Sequence, residues 1–104
     1  MIAIIILIVI IVVAVKYFSS REKDDEFNET FQQATQGDPV AQYRLGYYYF
    51  TDIQDIDQAV YWVCLSETNG YEAATFFLQK MIEGGVPRIY ERIDAAREKI
   101  RNGM

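Results

Sequence analysis

The sequence contains no histidine and a single cysteine, Cys64, among its 104 residues. The first absence removes imidazole acid–base catalysis, histidine-bearing triads and histidine metal ligands. The second rules out a disulfide within the chain and fits a reducing compartment. Cys64 follows Trp62 on an apolar stretch, with no imidazole to activate it, and reads as a buried structural thiol. Gly84-Gly85 lacks the following lysine and preceding strand of a phosphate loop. Asp52, Asp55 and Asp57 cluster at a turn without the glycine and distal glutamate of a calcium loop. No catalytic, cofactor-binding or metal-ligating residue is therefore assigned, and no enzyme is expected.

Charge is also missing from one region. Met1 to Val15 holds only Met, Ile, Ala, Leu and Val, and a helix apolar on every side must be surrounded by apolar material. With Tyr17 and Phe18 beyond Lys16, the run reaches the length of about 17 residues at which a helix spans hydrocarbon. No basic residue precedes it and no Ala-x-Ala pattern follows, so a lasting anchor over 1–18 is expected in preference to a cleaved signal. Lys16, Arg21 and Lys23 follow the run. The positive-inside bias then predicts an outer N-terminus and a cytoplasmic C-terminal domain. Lys16, Tyr17, Arg21 and Lys23 are the candidate lipid contacts, at the depth where aromatic and basic side chains sit.

After a polar connector at 19–25, the rest of the chain is long enough for one small domain, 26–104. It is acidic. Between Asp24 and Glu83 lie eleven carboxylates against Arg44 and Lys80 alone, which argues against nucleic acid as a partner. The last helix reverses the balance with Arg88, Arg92, Arg97, Lys99 and Arg101. That face reads either as an ordinary solvated surface or as a contact for anionic headgroups.

No stretch alternates with period two, and the apolar spacing is helical throughout. Phe27, Phe31 and Ala34 mark a helix over 26–36; Ala41, Leu45 and Tyr49 mark one over 40–50. Thr51 to Gln54 breaks the second. Asp55 caps a third running to Asn69, with Ala59, Trp62 and Val63 inward. A fourth covers 71–83 with Ala74, Leu78, Met81 and Ile82; Pro87 opens a fifth with Ile89, Ile93, Ala96 and Ile100. The expected fold is all-α: an N-terminal transmembrane helix, then an α/α domain of about five short helices, joined by short turns.

The chain also repeats itself. Gly37, Ala41, Leu45 and Tyr49 recur as Gly70, Ala74, Leu78 and Ile82, displaced by a constant 33 residues, the period of stacked two-helix units. Gly46, Ala59 and the repeated alanines let helices approach, while Tyr49, Trp62 and Leu78 fill space between them. At Gly37-Asp38-Pro39-Val40-Ala41-Gln42-Tyr43-Arg44-Leu45-Gly46-Tyr47-Tyr48-Tyr49, then Asp55-x-x-x-Ala59-x-x-Trp62 and Gly70, the chain resembles the Sel-one-like repeat family, relatives of the tetratricopeptide repeats. The resemblance covers about 37–84 and departs at Ser66-Glu67, where paired alanines are usual, at Gln79 where Gly46 would recur, and at Thr51-Asp52. It implies one complete repeat, a capping C-terminal helix and a surface for other proteins.

Tyr43, Tyr47, Tyr48 and Tyr61 are the candidate partner-binding residues. With Tyr49 and Phe50 they put aromatic surface on more than one helix face, wider than a small domain buries, and exposed tyrosine favours protein contacts. Packing within the repeat is the alternative reading of each. Tyr49 is assigned to the core by its step from Leu45. The leading expectation is a membrane-anchored interaction module, an accessory or assembly subunit of a larger membrane complex, placed by analogy in a bacterial inner membrane. Its partners would be the bilayer and an integral membrane protein, with no small-molecule substrate. The alternative is a small membrane-active regulator whose apolar helix does the work.

Overall fold

A computed structural model describes residues 1–103, with side chains at 1–14 and 25–103. Every element among the described residues is helical: α1 (Ile2–Thr35), α2 (Pro39–Tyr48), a π-helical turn (Tyr49–Ile53), α3 (Ile56–Thr68), α4 (Glu72–Glu83) and α5 (Ile89–Asn102). Met1 to Ala14 are exposed, and the expected connector at 19–25 and lipid contacts Lys16, Tyr17, Arg21 and Lys23 fall on side chains outside the described ones, apart from Asp25. Among the described residues no helix is long and apolar enough to cross a membrane.

Three turns stop helices in the same way. Gly37, Gly70 and Gly85 have φ of 100°, 94° and 74°, a region that costs a Cβ-bearing residue dearly. After Gly37, the amides of Gly37 and Asp38 donate to Ala34 and Gln33; after Gly70, those of Gly70 and Tyr71 donate to Glu67 and Ser66. Val86 and Gly85 repeat the pattern on Met81 and Ile82, so each end satisfies carbonyls that helix geometry would leave bare. Asp38 Oδ1 accepts from the amides of Val40 and Ala41 and caps α2, and Asp55 Oδ1 accepts from Gln58, the cap that the sequence predicts for α3.

Three expected boundaries move. The helix predicted over 26–36 has no start of its own, because α1 runs unbroken from Ile2 to Thr35. The helix predicted over 40–50 leaves α geometry at Tyr48 and widens into the π turn, closed by Asp55 N–H donating to the Tyr49 carbonyl with Gln54 left-handed at φ 62°. Pro87 does not open α5. Arg88 stands before the helix at φ 57°, and Arg92 Nε donates back to the Pro87 carbonyl, so the proline belongs to the turn.

Helix α3 is the centre. It packs against α2 on one side and α4 and α5 on the other. Its Ala59, Val60, Val63 and Cys64 join Ala74, Leu78, Met81, Ile89, Ile93, Ala96 and Ile100 in one core cluster. Trp62 joins Ala34, Ala41 and Leu45 in a second. A helix serving two cores must be apolar on both sides, which is why Ile56–Thr68 carries so few charges. Full burial of a valine such as Val60 or Val63 contributes about 2 kcal/mol. The face of α1 predicted from Phe27, Phe31 and Ala34 closes the second cluster. Phe27 lies 6.2 Å from Tyr49 and Phe31 lies 6.0 Å from Trp62, ring to ring and edge-on.

The polar links join helix ends. Gln42 is buried, its Nε2 donating to the Ala34 carbonyl while its Oε1 accepts from Asn69 Nδ2. Ser66 Oγ donates to the Pro39 carbonyl at 2.6 Å. These bonds fasten the start of α2 to the ends of α1 and α3, and no buried side-chain polar atom is left without a partner among the described residues.

Candidate docking surface

The four candidate tyrosines do not form one site. Tyr43 and Tyr47, one turn apart on α2, both face Phe77 of α4, at 5.8 and 5.9 Å between ring centroids. Tyr43 also meets Tyr71 edge-on at 5.4 Å, and Phe50 meets Phe77 at 5.6 Å. Tyr43 is half-buried by these contacts, whereas Tyr47 keeps 50% of its surface in solvent. Tyr48 points to the other side of α2 and stacks obliquely on Phe27 of α1 at 5.0 Å. Tyr61 stands apart on α3, edge-on to Trp62 at 5.3 Å with Lys99 Nζ 4.9 Å above its ring. Tyr49, assigned to the core from its spacing, is only half-buried and packs against both clusters.

A groove of about 340 Å³ runs between α1 and α2, its wall formed by Phe27, Tyr43, Leu45, Tyr47 and Tyr48. Glu26, Arg44 and Asp52 supply its charges. Spacing on α2 alone does not reveal it, because the opposite wall comes from α1. Phe27 carries a core signature in sequence, and it serves the core and the groove wall together. Phe77 was likewise missed as an anchor for Tyr43 and Tyr47: it lies beside the predicted core stripe of α4, displaced from it by one residue. Next to it Phe76 is exposed, with Lys80 Nζ 5.1 Å above its ring.

The repeat-defining residues come together as the spacing requires. Ala41, Leu45, Ala59, Trp62, Ala74 and Leu78 are all buried. Gly46 faces α3 so closely that a Cβ there would stand 2.5 Å from Val63 Cγ2 and 3.1 Å from the Ala59 carbonyl oxygen. Only glycine allows this crossing. Two cations of the basic helix α5 reach its neighbour, Arg92 pairing with Asp57 and Arg97 with Glu67 at 3.3 Å, while Arg88 pairs locally with Glu91. Two of those carboxylates sit on α3, so these cations hold the C-terminal helix in place. Glu67 is one of the departures from paired alanines, and the other, Ser66, makes the bond to Pro39.

Cys64 is buried and unbonded to another sulfur. Burial pushes its thiol up to about 11, outweighing the pull of the Arg97 guanidinium, so little thiolate is present at neutral pH. Asp55 is occupied as a cap and Asp57 by Arg92, and no group of three or more potential metal ligands occurs among the described residues. Among the described residues the arrangement offers aromatic surface and carboxylates. No protein-family model matches the chain, and no match to it was found among curated proteins or solved structures.

Proposed function

We propose that this protein is a membrane-tethered docking module, an accessory or assembly subunit whose helical domain holds another membrane protein. The observation that carries the reading is the contrast along the chain. The domain buries a complete core, while Ile2 to Val13 present large apolar side chains to solvent at every position except Ala3. So much exposed hydrocarbon marks a surface that something apolar covers. The charge-free run continues in sequence to Val15, with Tyr17 and Phe18 beyond, a length that suits a bilayer. A tether raises local concentration for a weak docking surface without any new contact. The half-exposed Tyr47 over Phe77 gives that surface a rigid aromatic anchor. The resemblance to Sel-one-like repeats, with Gly37 and Gly70 in matching left-handed turns, favours the same reading.

Gentle-detergent purification of tagged full-length protein from its native membrane tests it. A stoichiometric partner that is lost from a Tyr47→Ala, Phe77→Ala variant is the expected result. Recovery of the chain alone, or with the partner held equally by that variant, would sink the docking role and leave the apolar helix as the active part.

A further inference from the structure

The α1–α2 groove has a position and a charge that together point to one kind of occupant. Its lining sets the apolar wall of Phe27, Tyr47 and Tyr48 with two carboxylates, Glu26 and Asp52, against one guanidinium, Arg44. Asp25 and Glu29 are exposed on the same helix as Glu26, and among the described residues of 25–54 Arg44 is the lone cation. Ala14, the last residue of the apolar run with a described side chain, and Phe27 are thirteen positions apart on α1. That is about 20 Å along the helix. If the apolar run is in the bilayer, the groove therefore stands close to the headgroups. Segments of other membrane proteins that emerge there on the cytoplasmic side carry an excess of Lys and Arg. Free anionic lipid is a poor fit to a groove whose carboxylates outnumber its one guanidinium.

We infer that the groove docks a basic juxtamembrane segment of an integral membrane protein, an apolar side chain seating against the Phe27–Tyr48 pair and Tyr47 while flanking Lys or Arg meets Glu26 and Asp52. The inference rests on the reading of the chain as a membrane-tethered docking module. Charge complementarity of this kind sets partner choice and register as well as affinity.

The test is photocrosslinking from the full-length protein in its native membrane, with benzoylphenylalanine placed at Thr30 or Tyr47 inside the groove and at Phe76 or Tyr90 outside it. Groove positions should label a segment with net positive charge within about 20 residues of a partner's membrane span. Glu26→Lys with Asp52→Lys should cut that yield at least tenfold, and Glu72→Lys with Glu83→Lys should leave it unchanged. Labelling of lipid, of a second copy or of an acidic or extracytoplasmic segment overturns the inference. So does a yield that the groove reversal spares. Crosslinks to a protein from Phe76 or Tyr90 alone overturn it while leaving the docking module intact; no protein crosslink from any position overturns both. Matching helical circular dichroism of the charge variants shows that lost labelling is not lost fold.

Discussion

The two halves of the domain share a backbone plan and differ in how they close. The displacement of 33 residues extends beyond the turn glycines to both helix starts: α2 and α4 begin at 39 and 72, α3 and α5 at 56 and 89. Gly37 and Gly70, Ala41 and Ala74, and Leu45 and Leu78 match in conformation or burial. Yet α2 packs tightly on α3, whereas α4 and α5 barely touch and α5 leans on α3 instead. The counterparts of Gly46 and Ala59 are Gln79 and Arg92, two long side chains where the first unit has almost none. The caps differ too. Asp38 and Asp55 accept amide hydrogens, while Tyr71 and Arg88 at the matching positions make no side-chain cap. A repeat can thus keep its turns and lose its seam. The second unit covers the first instead of extending the stack.

Substitutions at paired positions break or sharpen that comparison, measured by denaturant unfolding of the full-length protein in mild detergent. Trp62→Ala should destabilise by about 4 kcal/mol, while Ala95→Gly at the exposed counterpart costs about 1 kcal/mol from helix propensity alone. Similar losses at the two sites would mean that the units are equally packed. Gly46→Ala should cost about 2 kcal/mol by forcing Val63 and the α3 backbone away, and Gln79→Ala about 0.5 kcal/mol or less. A neutral Gly46→Ala would show that the close crossing is not needed. Ser66→Ala should cost about 1 kcal/mol by removing the donor to Pro39, and the counterpart Lys99→Ala roughly half that, from the contact with Tyr61.

One further effect concerns pH. The unfolded chain releases the Cys64 proton near 9.0 and the folded chain near 11. Between those values the unfolded state binds fewer protons, so the stability present below pH 9.0 declines as pH rises towards 11. Cys64→Ser should flatten that slope, and the folded protein should react with a thiol reagent at neutral pH only as fast as it opens.

Much of the fold was legible because local chemistry and tertiary packing agree in this chain. The apolar stripes at Ala59, Trp62 and Val63 and at Ile89, Ile93, Ala96 and Ile100 are buried as spaced. The turn glycines and the aspartate caps stand where residue type puts them. Sequence failed where the answer depended on a partner element. Tyr48 and Tyr43 lie on opposite sides of α2, and only the positions of α1 and α4 show that one meets Phe27 and the other Phe77. Tyr61 belongs to neither, being covered by Trp62 and Lys99. The π turn after Tyr48 and the left-handed Arg88 carry no glycine to announce them.

The tether is the claim from which the docking role follows, and alkaline carbonate extraction of native membranes tests it most directly. The account predicts that the full-length protein stays in the membrane pellet and that Ile8→Arg with Val9→Arg releases it to the supernatant. Release of the unaltered chain by carbonate, with its helical spectrum intact, would contradict the account.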